Sequence, residues 1–379
     1  LKNVRRFTIW VLFMLLALGI GSVKAQQPVE QTLFLTYIPN VQFAPAYVAL
    51  EAGYFEARGI RVTIEHGDEP VGLDLIAAGQ RQFGIIGGEQ IILARANGRP
   101  VVFVYEWFQE YPIAVVTPVG SGIGTPEDLR GQRIGIPGRF GASYTGILAL
   151  LSAFEISERD VQLEPIGFNA PEVVCAGGVP ASTIYINNEP LIIRERAQAG
   201  DCGIVTDVNV IPVADYVDLV SNGMVTNEET IANDPDLVRA MVRGWHEGTR
   251  VAIRNPAAAY LASAAHVEGL ITSPEMRAAF EAAAAQQNAW LEANPDADRV
   301  ALAQRRLDSY TDLAERFDPA TLLQYAILLE TIRLWDADRL GYTDPRSWEV
   351  TQSTLIDMGI LRAPLDDLSA AYSNDFLPE

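Results

Sequence analysis

An alternation of apolar strands and amphipathic helices runs from residue 31 to 117, breaks, and starts again. "TLFLTYI" reads as a strand and "APAYVALEAGYFEARG" as a helix closed by Gly59. "IRVTIEHG" is a strand, "PVGLDLIAAGQ" a helix, "FGIIGG" a short buried strand, "EQIILARANG" a helix ending at Gly98, and "PVVFVYEW" the next strand. Strands separated by helices pair in parallel, which makes an α/β unit with a doubly wound sheet. After "AVVTPVGSGIGTPEDLRGQ", rich in Gly, Pro and Thr, a second round follows: strand "RIGIPG", helix "SYTGILALLSAFEI", strand "VQLEPIGF", a helix near 170 to 176, strand "STIYINN", helix "EPLIIRERAQAG" and strand "CGIVTDV". From about residue 230 the chain reads as helical, with amphipathic stretches such as "PDLVRAMVRGWHEGTRVAIRN". Two α/β units side by side imply a cleft where the carboxyl ends of their strands meet.

The first residues place Lys2, Arg5 and Arg6 before an apolar run from Phe7 to Val23, with Val23, Lys24 and Ala25 as a small-residue cleavage site. Residues 1–25 therefore read as a secretory signal. The competing reading, a transmembrane anchor, needs ~20 spanning residues, more than the run supplies. Gln26, not a cysteine, follows the site, so a lipid anchor on an N-terminal cysteine is not expected.

Removing the cations Lys2, Arg5, Arg6 and Lys24 takes the formal charge from -20 to about -24, which argues against nucleic acid or an anionic membrane as partner. Both lysines of the sequence lie in that segment. The remaining cations are arginines, which excludes Schiff-base chemistry and a Walker lysine. Cys175 and Cys202 are too few for a cysteine-built zinc site. They read either as one disulfide at a shared sheet edge or as two buried thiols. His66, His246 and His266 are far apart in sequence, and no hydrolase or metalloprotease motif accompanies them. No metal or cofactor is expected.

Four stretches are similar to one family: "YIPNVQFAPAYVALEAGYFEARGIRVTI", "GTPEDLRGQRIGIPG", "YINNEP" and "VRGWHEGTRVAIRNPAAA". Together they resemble the solute-binding proteins of bacterial ABC importers, in the branch related to thiamine-pyrimidine synthases and alkanesulfonate binders. The resemblance implies a two-lobed periplasmic-binding-protein clamp of type II, with two doubly wound sheets and a hinge. Lobe I would comprise 26–117 plus 217–379 and lobe II 118–216, with hinge strands near 115–119 and 211–217. It implies a monomer outside the cytoplasmic membrane, in the periplasm or cell envelope, that closes on a small molecule and delivers it to an ABC permease. The enzymes of this branch use pyridoxal phosphate held by lysine and a cysteine-rich motif, and neither is present here, so a binder rather than an enzyme is expected.

By the same resemblance the ligand residues fall on loops after strands. These are Tyr37, Asn40 and Phe43 in the first loop, Glu89 and Gln90 in "GGEQ", Ser143 and Tyr144 after Gly141 and Ala142 in "GRFGASY", and Tyr185, Asn188 and Glu189 in "YINNEP". Tyr47 is read as helix core, and Arg139 as added charge near Ser143. Trp107 and Phe108 follow a strand directly, so they either face the cleft or cap the core. Flat rings in a cleft suit a planar heterocycle read at its edge by carboxylate and amide groups. Riboflavin is the leading ligand, with a thiamine pyrimidine precursor as alternative and an alkanesulfonate behind both.

Overall fold

The computed structural model describes residues 27–378. The expected signal, 1–25, lies outside them. The first lobe begins with β1 (Val29–Leu35), whose last residues are buried, followed by a 3₁₀ turn at Val41–Phe43 and α1 (Ala44–Glu51). Next come β2 (Ile60–His66), α2 (Glu69–Ala77), β3 (Phe83–Gly87), α3 (Gly88–Ala96) and β4 (Val101–Glu106). The single helix expected up to Gly59 is divided. Gly53 takes φ +68°, ending α1, and Glu56–Arg58 form a separate 3₁₀ turn capped by Gly59 at φ +77°.

The second sheet is built from β5 (Ile113–Pro118), β6 (Arg133–Ile136), α4 (Gly141–Ala153), β7 (Gln162–Pro165), α5 (Ala170–Cys175), β8 (Ala181–Tyr185), α6 (Glu189–Gln198) and β9 (Val208–Pro212). Its strand order is β7-β6-β8-β5-β9, with β5 antiparallel to both neighbours. Then β10 (Asn222–Asn227) returns to the first sheet and slots antiparallel between β3 and β4, giving β2-β1-β3-β10-β4. Each sheet thus borrows one strand running against the rest. This is a two-lobed α/β clamp.

Two details differ from the sequence reading. Ile113–Pro118 pair with β8 and β9, so the chain crosses between sheets at 107–112, ahead of the expected 115–119. The apolar, β-branched run "IAVV" is buried as a sheet strand rather than spent on a connection. The return crossing spans 213–221 and overlaps the expected 211–217. The strand expected at "CGIVTDV" begins only at Val208. Residues 202–207 form turns, and Ile204 is 97% exposed, because Gly203 takes φ +56° beside Cys175.

The last third supplies α7 (Glu228–Asn233), α8 (Pro235–Arg254), α9 (Pro256–Ser263), α10 (Pro274–Ala293), α11 (Arg299–Ala314), α12 (Pro319–Trp335) and α13 (Pro345–Asp357). Five of these begin at Asp234, Asn255, Ser273, Asp318 and Asp344, whose side chains accept backbone N–H groups while proline takes the next position. Helix α8 lies so close to α1 that a Cβ on Gly248 would sit 2.0 Å from the Pro45 carbonyl oxygen. Trp245 and Trp335 are fully buried in the same core as Tyr47 and the first sheet. Burying such a side chain contributes roughly 1.5–3 kcal/mol, so these helices stiffen the wall that carries the first-lobe half of the cleft.

Cys175 and Cys202 form a disulfide, with Cα atoms 4.2 Å apart, that joins the end of α5 to the turn before β9. Among the described residues no helix is long and apolar enough to cross a membrane.

Candidate functional site

The carboxyl ends of both sheets face one cleft between the lobes. The first lobe contributes Tyr37, Gln42, Phe43 and Glu69. The second contributes Phe140, Ser143, Phe168, Tyr185, Asn188 and Glu189. Trp107 and Phe108 line it from the first crossing, and Asn222 from the start of β10.

The aromatic groups form a connected set. Phe43 stacks on Trp107 at 5.5 Å, and Trp107 meets Phe108 edge to face at 4.5 Å. Phe108 approaches Tyr185 at 6.3 Å, and at the rim Tyr37 touches Phe168 across the two lobes at 4.9 Å. Trp107 both lines the cleft and packs on Trp245 and Trp335, so the two readings of this residue hold together. Its position is fixed by backbone bonds: the N–H groups of Trp107 and Phe108 both donate to the Asn222 carbonyl, at 3.0 and 3.1 Å. Tyr111, the last aromatic of the first crossing, instead donates its hydroxyl to the Ala142 carbonyl at 2.9 Å.

Several polar groups on this surface meet no partner within the chain: Trp107 Nε1, Gln42 Oε1 and Asn188 Oδ1 are all buried and unbonded. Buried polar atoms are normally satisfied, so a donor and two amide oxygens around one cavity mark places for a ligand's own polar edge. Glu189 accepts the Tyr185 N–H at 2.8 Å and the Asn188 amide at 3.2 Å, and burial pushes its carboxyl upward from the usual range.

Glu69, which sequence reasoning missed, is the other carboxylate of the lining. It opens α2, accepts the Gly87 N–H at 2.6 Å, and reaches the start of α4 in the opposite lobe, where a Cβ on Gly141 would meet its Oε2 at 2.2 Å. Burial drives its carboxyl upward against the backbone bonds from Gly87 and Ala142. Its only sequence signal was an acid in the first turn of a helix, which is indistinguishable from ordinary dipole pairing. Gln42, Phe140, Phe168 and Asn222 were also missed. Each lies on a loop or at an element end that only the meeting of two lobes brings to the cavity.

Four expected ligand residues lie elsewhere. Asn40 caps the 3₁₀ turn, accepting the Gln42 N–H at 2.9 Å, because an extended residue before a helical turn needs such a cap. Glu89 is fully buried behind Gly87 beside Glu69, with neither oxygen in a hydrogen bond, and desolvation with the Glu69 charge raises its carboxyl. Gln90 spans the lobes outside the lining, donating to Thr145 at 3.4 Å. Tyr144 points away from the cleft to donate to Glu158 at 3.2 Å, where Arg139 pairs with the same carboxylate. Helix geometry separates it from Ser143 by about 100°. Tyr37, Phe43, Trp107, Phe108, Ser143, Tyr185, Asn188 and Glu189 are all brought together.

The family described as NMT1/THI5 like matches residues 40–259, more than half of the chain. The chain belongs to this family. A riboflavin-binding protein, RibY, from Chloroflexus aurantiacus is 33% identical over 368 residues, covering 93% of this chain and 88% of that one. A 4-amino-5-hydroxymethyl-2-methylpyrimidine phosphate synthase from Schizosaccharomyces pombe is 26% identical, over 60% of this chain and 67% of its own. Among solved structures, the ligand-binding component of an ABC-type import system from Staphylococcus aureus superposes with a TM-score of 0.58. It covers 93% of this chain and 98% of its own at 10% identity, a likeness of fold. The relatives of this chain therefore include a binding protein and an enzyme, and the cleft residues must separate the two readings.

Proposed function

We propose that this chain is the extracytoplasmic solute-binding component of an ABC importer and that its solute is riboflavin. The observation that carries this reading is the lining itself: seven aromatic rings, Tyr37, Phe43, Trp107, Phe108, Phe140, Phe168 and Tyr185, surround a cavity that holds two carboxylates and no lysine, arginine or histidine. Such a surface suits a flat, uncharged heterocycle that offers N–H or O–H donors to carboxylates. A three-ring isoalloxazine with a neutral polyol tail has that shape and those donors. The RibY likeness along nearly the whole chain supports the same ligand. An alkanesulfonate fits poorly, since nothing in the lining balances its charge.

Glu189 beside Tyr185 keeps a second reading in view, because a carboxylate can take the exocyclic amine of an aminopyrimidine. One such ring would leave most of the seven aromatic side chains of the lining without a partner. A synthase reading lacks its nucleophile, since the cleft offers no amine to a carbonyl cofactor.

Tryptophan fluorescence titrated with riboflavin, and with a thiamine pyrimidine in parallel, tests the proposal. Saturable quenching by riboflavin at about micromolar concentration or below is expected. A response to the pyrimidine alone replaces the solute, and silence from both removes the vitamin reading.

A further inference from the structure

The start of α4 has the features of an anion site. Gly141, Ala142 and Ser143 carry the first N–H groups of a helix of 13 residues, and all three line the cleft. Unpaired N–H groups and the positive end of the helix dipole favour negative charge there. In this chain the place is already filled from the other lobe. The Glu69 carboxyl reaches the turn so closely that only glycine fits at position 141, where φ of +66° also demands it. The same carboxyl is anchored on its own lobe by the Gly87 N–H at 2.6 Å. Glu89 lies buried on the far side of Gly87 and adds a second acid to the spot. Facing this pair from neighbouring elements are the hydroxyls of Tyr111 and Tyr185, neither of which brings a positive charge.

We propose that Glu69 sets the charge selectivity of the cleft: its side chain occupies the helix terminus that a phosphate or sulfonate would otherwise take, so the site admits an uncharged heteroaromatic and refuses its phosphate ester. Two things enforce the refusal. The position is sterically taken, and above about pH 7, where the raised Glu69 carboxyl ionises, an incoming dianion meets like charge with no cation in the lining. The other polar groups left for the ligand bring no positive charge: the Trp107 Nε1–H, the amide oxygens of Gln42 and Asn188, and the Glu189 carboxyl, which takes a neutral donor and not an anion. The inference rests on reading the cleft as a solute site and adds to it the rule by which solutes are sorted.

The test compares riboflavin with riboflavin 5′-phosphate by fluorescence titration at pH 8, using the full chain and its Glu69→Ala and Glu69→Gln variants. Sulfate, against chloride at matched ionic strength, serves as a ligand-independent probe read by melting temperature. The unaltered protein is expected to prefer riboflavin by about thirtyfold or more, and Glu69→Ala to bring the two within about threefold. Sulfate should raise the melting temperature of Glu69→Ala and leave the unaltered protein unchanged. Equal binding of the two flavins by the unaltered protein, or a preference that survives in folded Glu69→Ala, overturns the proposal. If Glu69→Ala does not fold, Glu69→Gln decides, because it keeps the shape and removes the charge: a preference reduced by about fivefold or more supports the proposal and an unchanged one overturns it. If no flavin binds the unaltered protein, the riboflavin reading fails by itself and sulfate decides. A variant-specific sulfate response then supports the role of Glu69, and the same response in all proteins, or none, overturns it.

Discussion

The indole of Trp107 lies over the ring of Phe43 with 5.5 Å between centroids and 25° between planes. Phe43 ends the first turn after β1, and Trp107 begins the crossing from one lobe to the other. The wall on which a planar ligand would stack is therefore also the connection about which the lobes are joined. The shared bond of Trp107 and Phe108 to the Asn222 carbonyl ties the outgoing crossing to the start of β10, where the chain returns. Cleft lining and lobe connection meet at one residue.

Trp107→Ala should weaken ligand binding by more than about 1 kcal/mol and cost about 3 kcal/mol or more in stability, since the ring serves cleft and core together. Trp107→Phe separates the two roles. It keeps the apolar packing and removes an Nε1–H that meets no acceptor of the chain, so stability should hold within about 1 kcal/mol while affinity falls by about 1 kcal/mol. Calorimetric titration and urea unfolding of both variants check this. Unchanged affinity in Trp107→Ala would return the residue to the core alone.

Glu189→Gln should weaken a ligand that donates to the carboxylate by roughly 1.5–3 kcal/mol, the range of hydrogen bonds to charged groups. The substitution keeps one acceptor oxygen for the Tyr185 N–H, so the melting temperature should move little. Affinity equal to that of the unaltered protein would remove Glu189 from the ligand's contacts.

Cleaving the disulfide should loosen the second lobe. The bonded cysteines are 27 residues apart, and a loop of that size corresponds to about 3–4 kcal/mol of chain entropy in the unfolded state. Denaturant unfolding with and without reductant, or of a double serine variant, measures the loss. An unaltered midpoint would show that the link is silent in folding.

Stability should fall as pH rises from about 5 to 9. Burial lifts the Glu106 carboxyl to about 8 from 4.5, and Asp218 and Asp344 push the same way against hydrogen bonds from Thr343 and Ser221. Glu69 and Glu89 are raised as well, by burial and, at Glu89, by each other's proximity. Above pH 4.5 the unfolded chain releases these protons and the folded chain keeps them. The stabilisation present below the unfolded value is then lost as pH climbs through the folded one. For Glu106 the full swing is on the order of 5 kcal/mol. Glu106→Gln should flatten the profile and stabilise the protein at pH 9. A profile as steep as before would place the titration elsewhere.

The clamp was legible because each β–α unit writes its own signature, an apolar run and then an amphipathic helix with a capping residue. Strands such as "FGIIG" and "VVFVYE" and the helix starts at Asp234 and Asp318 follow from such local signals. Half the cleft was legible for the same reason, since Tyr37 follows β1, Tyr185 closes β8 and Glu189 opens the helix just after it, all at the carboxyl ends of strands. Tyr144 was misplaced because a single step along a helix turned it to the outer face, where Glu158 and Arg139 hold it.

Two α/β units, a helical last third, the arginine-only cation set after residue 24 and the aromatic supply of the crossing are all readable from the amino-acid order. These depend on composition and on periods of two and about 3.6 residues, which neighbours in sequence carry. Which strand each sheet borrows, where the chain crosses, and the place of Glu69 of one lobe on the helix start of the other emerge only in the folded chain. Glu69 and Gly141 are 72 positions apart. Their contact is set by packing and desolvation between lobes, and no short window of sequence holds both.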